Sequence, residues 1–167
     1  MVYASSGQVT EWPDLKTNQP IAEPYDTLCN PDVEPPATWK MITKHSEPKV
    51  LGLYGASKLW GENLGRMFAG EYGLSVLCIR LGHVTPSGKP EQPRDVSIYC
   101  SHRDAAQMVR RCVEAPLELH FDIFYALSNN SRGYCDLQHA KDVLGYEPMD
   151  SADPFFPQNK SRAGASL

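Results

Sequence analysis

The chain has 167 residues, of which 41% are hydrophobic, and a formal net charge of -4 at pH 7. This size and composition indicate one ordinary domain with a packed core and argue against a disordered chain. No Lys/Arg-rich run is present to attract nucleic acid, and no apolar stretch approaches the ~18 residues of a membrane span. We therefore expect no nucleic-acid partner, no membrane partner and no secretory signal.

The five cysteines are odd in number and scattered, without a C-x-x-C pair. This pattern predicts ordinary thiols in a reducing, cytoplasmic location, with neither a disulfide framework nor a zinc site. The cysteines are Cys29, Cys78, Cys100, Cys112 and Cys135.

The first element is predicted from Val2 to Ser6, which has the pattern of a buried strand that runs into a polar turn. Residues 7–52 then form a proline-rich connection with no sustained hydrophobic period, in which we expect one short helix near Thr38 to Lys44. A connection of this length is usually functional or mobile. Because the chain begins on a core strand, we expect it to be part of something larger.

A strong helix is predicted from Tyr54 to Tyr72, ended by Gly73. Its expected apolar stripe comprises Leu59, Leu64, Met67 and Phe68. The four-residue spacing of Gly61 and Gly65 predicts a bare strip where another part of the chain approaches closely.

The remaining pattern alternates strands and helices. The expected elements are a strand over Ser75–Leu81, a loop over Gly82–Pro93, a helix capped by Ser101, a strand over Phe121–Leu127, and a helix that is capped by Asp136 and ends at Gly145. Alternation of this kind predicts an α/β fold with a parallel sheet and helices on its faces. We expect residues 1–153 to form this domain, with an inserted loop at about 10–50, followed by a flexible tail over 154–167.

Tyr54 and Lys58 lie one helical turn apart, so a phenol and an ammonium share one face. A fixed cation beside a phenol favours its ionised form. Such a tyrosine can exchange a proton with a hydroxyl or a carbonyl at working pH. Ser6, at the carboxyl end of a parallel strand, lies where open α/β sheets bind ligands, so it is a candidate to hold the same oxygen.

Three segments carry a family resemblance: Ala4–Ser6, Leu53–Glu62 (LYGASKLWGE) and Ile79–Gly82. They resemble the short-chain dehydrogenase/reductase superfamily, in its extended NAD-dependent epimerase/dehydratase branch. Within that branch the chain is most similar to uronate dehydrogenases. The likeness extends through Ser101–Asp104, Phe121–Tyr125 and Val143–Pro148, and covers most of the chain from Val2 to about Pro154.

The resemblance implies a partial Rossmann-like doubly wound sheet that binds NAD or NADP. It makes Tyr54 the catalytic acid/base and Lys58 the residue that binds the nicotinamide ribose and tunes the tyrosine, so both would contact the cofactor. It makes Ser6 the residue that orients the substrate, and places Arg94 where an arginine binds a substrate carboxylate. A guanidinium suits that task through two parallel hydrogen bonds.

The chain also departs from the family pattern. Gly7 and Gln8 replace an Asn-His pair, and His83 replaces a small hydroxyl residue, so Gln8 and His83 are candidate substrate contacts that set a different substrate. No G-x-x-G-x-x-G turn is present. We therefore expect the dinucleotide-binding half to be missing and this chain alone to bind little NADH.

Three functions remain open from the sequence. The first is an oxidoreductase that acts on a sugar or sugar-acid-like small molecule through Tyr54, Lys58 and Ser6. The second is a sugar epimerase or dehydratase that uses the same residues, although Gly7 and Gln8 offer no extra acid or base. The third is an inactive fragment that binds a partner subunit. The helix Tyr54–Tyr72 is the expected homodimer contact, since relatives often associate through it.

Overall fold

The computed structural model describes residues 1–10, 25–50 and 52–157. Its elements in chain order are β1 Val2–Ser6, α1 Tyr25–Leu28, α2 Leu53–Tyr72, β2 Val76–Leu81, α3 Asp95–Ile98, α4 His102–Val113, β3 Phe121–Ala126 and α5 Gln138–Leu144, with short 3-10 turns at Gly7–Val9 and Asp153–Phe155. The strands form one parallel sheet in the order β1-β2-β3. The predicted α/β fold, its three strands and its long helix are confirmed.

The sheet register places the carboxyl ends of all three strands at one edge. Ser6 pairs with Leu81, and Leu81 pairs with Ala126. Residues that follow these positions therefore gather at the same edge, where open parallel sheets bind their ligands.

The two long helices cover opposite faces of the sheet. Val76 and Cys78 face α2, because a Cβ built on Gly65 would lie 2.8 Å from the Val76 side chain and 3.7 Å from the Cys78 sulfur. The alternate residues Leu77 and Ile79 pack with α4 and α5 in the largest apolar cluster. Since the strands advance in one direction across the sheet, the crossovers through α2 and α4 have opposite hands, which is uncommon among parallel connections.

Small residues make the contact between α2 and the sheet. The buried residues of α2 are Gly55, Glu62, Gly65 and Ala69, whereas Met67 and Phe68 are each 39% exposed. The expected apolar stripe is thus only partly covered, since its other members, Leu59 and Leu64, are half-buried. The predicted bare strip is confirmed, because a Cβ on Gly61 would overlap the Tyr3 hydroxyl.

Local end signals are also confirmed. Gly73 and Gly145 end their helices with φ of 65°, a left-handed conformation that glycine adopts without a Cβ penalty. The Ser101 hydroxyl accepts a 3.0 Å hydrogen bond from the Asp104 N–H and so caps α4.

The predicted helix near Thr38 to Lys44 was wrong. Residues 38–43 contain no helix and Lys44 lies in a turn, while Ile42 forms a parallel bridge with Cys135. The Ile42 N–H donates to the Tyr134 carbonyl oxygen at 2.7 Å, and the Ile42 carbonyl oxygen accepts from the Asp136 N–H at 2.8 Å. Pairing with a distant segment offers the backbone a partner that a local helix would exclude. Residues 11–24 of the predicted insertion, residue 51, and residues 158–167 of the predicted tail lie outside the described residues.

A buried arginine anchors the first described part of the insertion. The Arg132 guanidinium donates to the carbonyl oxygens of Thr27, Asn30 and Val33 at 3.3, 2.6 and 2.8 Å. Arg132 is 5% exposed, and burial lowers its pKa. This segment is thereby fixed to the connection between β3 and α5.

A second polar cluster anchors the insertion at Lys44. Asp122 accepts hydrogen bonds from Lys44 Nζ at 2.6 Å and from the Ile123 N–H at 2.7 Å, and its other oxygen lies 2.8 Å from His139 Nε2. Burial would raise the pKa of Asp122, but these partners outweigh it and lower the pKa below the ordinary 3.8. The stabilisation is therefore present above pH ~4 and is lost as pH falls through the lowered value.

We expect Asp122→Asn to reduce the free energy of unfolding by about 1–3 kcal/mol at pH 7, because Lys44 loses a charged partner. The difference from the wild type should shrink on acidification below pH ~4. Urea denaturation at both pH values measures it. Asp142→Asn, at an exposed acid of α5, is the control. Equal effects of the two substitutions would refute the anchoring role.

Candidate active site

The first turn of α2 lies directly on the turn that follows Ser6. A Cβ built on Gly55 would lie only 2.6 Å from the Gln8 carbonyl oxygen, so only glycine permits this approach. Gly61 meets Tyr3 further along, so α2 runs antiparallel to β1 with its N-terminal turn at the carboxyl edge of the sheet. The fold thus brings Tyr54 next to the segment that holds Ser6 and Gln8.

Lys58 lies between two tyrosine rings. Its Nζ is 5.4 Å from the ring centroid of Tyr54 and 5.6 Å from that of Tyr3. It also donates a 2.8 Å hydrogen bond to the Ala4 carbonyl oxygen. Tyr54 is 54% exposed, whereas burial raises the pKa of Tyr3. Of the two phenols beside this ammonium, Tyr54 is the one open to a substrate.

Ser6 is almost fully buried, and its hydroxyl caps the short turn that follows. Its Oγ accepts a 3.2 Å hydrogen bond from the Gln8 N–H. A hydroxyl that accepts in this way still has its own proton to donate. The Gln8 side chain is exposed at the same turn.

His83 follows β2 at the same edge of the sheet, and Asp95 holds it there. His83 Nδ1 lies 2.6 Å from Asp95 Oδ1. The Asp95 carboxylate is fully buried, and its other oxygen accepts from the N–H groups of Glu91 and Gln92 at 2.8 and 3.0 Å. Asp95 therefore fixes the ring, and within the described residues no hydrogen bond to His83 Nε2 is found. Sequence reasoning missed Asp95, because twelve residues separate the pair.

Arg94 directly precedes Asp95 and is half-buried. Its Nε is buried and has no hydrogen-bond partner among the residues that the structure describes. Burial raises the pKa of the nearby Cys29 to about 11, and the positive charge of Arg94 opposes that rise. Arg94 thus combines a half-buried guanidinium with one buried donor that has no partner among the described residues.

A buried ion pair beside the site was also missed from the sequence. Arg80 donates to both oxygens of Glu62, at 2.9 and 2.8 Å, and Ser5 donates to the same carboxylate at 2.6 Å. The available signal was the position of Glu62, one turn after Lys58 on the same helix face.

The cysteines lie within the described residues and have no reactive setting. All five are buried free thiols, and burial raises the pKa of Cys78 to about 12 and of Cys112 to about 11. Within the described residues, no group of three or more His, Cys, Asp or Glu side chains is placed to hold a metal ion. Nor does this part of the chain contain a helix long and apolar enough to cross a membrane.

Comparison with known proteins identifies relatives of this chain. No model of a known protein family matches it. It is 36% identical over 109 residues to the NAD-dependent glucose-6-phosphate dehydrogenase of Haloferax volcanii. This alignment covers 65% of this chain and 41% of that protein. It is also 36% identical over 104 residues to the uronate dehydrogenase of Agrobacterium fabrum, in an alignment that covers 62% of this chain and 38% of that protein. The chain is homologous to the uronate dehydrogenases.

Solved structures agree with this relationship. The crystal structure of uronate dehydrogenase from Agrobacterium tumefaciens matches 99% of this chain and 51% of that chain, with a TM-score of 0.72 and 25% identity. A UDP-glucuronic acid 4-epimerase from Bacillus cereus shares the fold, with a TM-score of 0.59 and 12% identity over 94% of this chain and 59% of that one. The predicted resemblance to extended short-chain dehydrogenase/reductases, with their Rossmann-like fold, is confirmed.

The match is partial in length. This chain spans about 40% of the length of the curated relatives that it matches and about half of the uronate dehydrogenase of known structure. The relatives are sugar or sugar-acid dehydrogenases by name.

Proposed function

We propose that the protein containing this chain is an NAD(P)-dependent oxidoreductase of a sugar or sugar acid. The observation that carries the proposal is the contact of the first turn of α2 with the turn after Ser6, which puts Tyr54 beside both Lys58 and the Ser6 segment. The relatives named for NAD-dependent sugar and uronate oxidation support it.

In the proposed reaction, Tyr54 takes the proton of the substrate hydroxyl as the carbon is oxidised, or returns it in reduction. The Lys58 ammonium lies 5.4 Å from the centre of this ring, one helical turn along α2. The Ser6 hydroxyl donates to the same substrate oxygen and orients it. General acid-base catalysis of this kind contributes about 10²–10⁴ to a rate.

The described residues fit the nicotinamide end of the cofactor. Lys58 uses one N–H on Ala4 and has two more for a ribose hydroxyl, next to the exposed Tyr54 ring. When bound, NAD(P) supplies a ring that accepts the hydride. The sequence contains no glycine-rich G-x-x-G-x-x-G turn that would hold the pyrophosphate. We therefore assign only Tyr54 and Lys58 to the cofactor.

Arg94 and His83 are the proposed residues that select the substrate, with Gln8 as a further contact. The guanidinium of Arg94, whose Nε has no partner among the described residues, suits a carboxylate, and the ring of His83 is fixed by Asp95 at the carboxyl edge of the sheet. The exposed side chains of Met67 and Phe68 leave the outer face of α2 open to a second copy, so we retain the proposal of a homodimer through α2.

The protein purified after expression from its own gene should form NADH or NADPH, detected at 340 nm, with one member of a panel of aldoses, sugar phosphates and uronates. If the substrate is an acid, Arg94→Met should lower kcat/KM for it by about 10–100-fold, the value of a charge-assisted hydrogen bond. It should leave neutral sugars nearly unchanged.

Arg110→Met, at an exposed arginine of α4, serves as the control for this test. Absence of turnover with every member of the panel would refute the proposed function. An equal loss for acidic and neutral substrates would refute only the role of Arg94.

A further inference from the structure

A buried polar network links the two halves of the candidate active site. Its members, called here the positioning network, are Glu62, Arg80, Tyr125 and Thr10. Arg80 binds Glu62 through two hydrogen bonds, and both side chains are at most 3% exposed. Arg80 also donates to the Tyr125 hydroxyl at 3.0 Å, which lies 2.7 Å from Thr10 Oγ1.

On the helix side, the network begins one turn beyond Lys58. Glu62 lies two turns after Tyr54 on the same face of α2. Its carboxylate accepts the 2.6 Å hydrogen bond from Ser5, the residue before Ser6. Glu62 therefore holds α2 directly against the end of β1.

On the other side, the network ends at the turn after Ser6. The Thr10 N–H and hydroxyl both donate to the Gly7 carbonyl oxygen, at 3.0 and 3.4 Å, which closes this turn. The Thr10 hydroxyl also contacts Tyr125. One chain of hydrogen bonds thus fixes the residue before Ser6 and the end of the turn after it.

The contact between α2 and β1 needs such restraints. Its closest approaches are at Gly55 and Gly61, which permit proximity but have no side chains to interlock. Hydrogen bonds with charged partners inside the protein are strong and directional. Proton transfer requires heavy atoms about 2.6–3.2 Å apart, so a small slip of α2 would separate Tyr54 from an oxygen held by Ser6.

We propose that the positioning network sets the relative placement of Tyr54 and Ser6, and that its four residues act through them without contacting substrate. The proposal rests on the proposed function, in which these two side chains share a substrate oxygen. The role is one of positioning. The contact between the Thr10 and Tyr125 hydroxyls is the part of the network that a substitution can remove without breaking the ion pair.

The test uses the protein expressed from its own gene, with Thr10→Val, Tyr125→Phe and their combination. Each removes the contact between the Thr10 and Tyr125 hydroxyls while keeping the buried ion pair. Thr10→Val also removes the 3.4 Å bond to Gly7, and Tyr125→Phe removes the 3.0 Å bond from Arg80. Thr10→Ser retains the hydroxyl and is the conservative rescue. Tyr146→Phe is the matched control, since Tyr146 is fully buried and donates its own 2.8 Å hydrogen bond to Leu127, outside the network.

We expect Thr10→Val and Tyr125→Phe each to lower kcat by about tenfold or more, with KM for cofactor and substrate nearly unchanged. The double variant should lose less than the sum of the two single losses, because both substitutions break the contact between Thr10 and Tyr125. Thr10→Ser should restore kcat, and Tyr146→Phe should keep it. An unchanged kcat in Thr10→Val, or an equal loss in Tyr146→Phe, would overturn the proposal.

A second readout separates this inference from the proposed function. If the wild-type protein turns over no sugar, the proposed function is refuted. The coupling through the positioning network is then tested by comparing backbone amide chemical shifts, measured by NMR, between the wild type and the variants. Shifts at Ser6, Gln8 and Tyr54 in Thr10→Val, absent in Tyr146→Phe, would support coupling of the two segments. Unperturbed amides at those positions would overturn it.

Discussion

Replacing Tyr54 with phenylalanine is expected to lower kcat by about 10²–10⁴-fold, because the substituted ring keeps its packing but has no proton to exchange. Affinity for the cofactor should remain nearly unchanged, since Lys58 still presents its ammonium. Steady-state kinetics on the protein expressed from its own gene, with cofactor binding followed by nicotinamide fluorescence, measures both quantities.

Tyr3→Phe is a closely matched control for this experiment. Tyr3 lies at nearly the same distance from Lys58 Nζ as Tyr54, 5.6 against 5.4 Å, but it packs against Gly61 and is not at the carboxyl edge. Its loss should leave turnover largely intact. A Tyr54→Phe enzyme that keeps more than about a tenth of wild-type kcat would contradict the mechanism.

Replacing Arg80 with methionine is expected to lower the free energy of unfolding by about 3–5 kcal/mol, because the Glu62 carboxylate would remain buried without its partner. Urea denaturation measures the loss. Combining it with Glu62→Leu should recover much of the stability, since neither member of the pair then leaves an unpaired buried charge. The difference between single and double variants gives the coupling of the pair.

Arg103→Met provides the contrast for this prediction. Arg103 forms an ion pair with Asp150 at the surface, where solvent screens the interaction. We expect little change in stability from its loss. A similarly small effect of Arg80→Met would show that the buried pair is dispensable, and would remove the physical basis of the positioning network.

Local signals were sufficient to predict most of the regular structure. The buried strand pattern at Val76–Leu81, the serine cap at Ser101 and the glycine at position 73 each specify an element through its own residues or near neighbours. The proximity of Tyr54 and Lys58 followed in the same way, because helix geometry fixes residues four apart.

The missed features depend on contacts between distant residues. The pairing of His83 with Asp95, and of Glu62 with Arg80, needs the sheet and its connections to be in place. The extended conformation at Ile42 has the same cause, because its partner Cys135 is more than ninety residues away. A single sequence contains no periodicity that reports such pairs.

The anchoring of residues 27–33 by Arg132 bears on which segments can move during the proposed reaction. Four carbonyl groups, those of Thr27, Asn30, Pro31 and Val33, converge on one buried guanidinium. Lifting this segment would break these bonds and leave their polar atoms without replacement. We therefore expect residues 27–33 to stay fixed to the connection between β3 and α5, so a segment that opens and closes over the proposed site would have to come from another part of the protein.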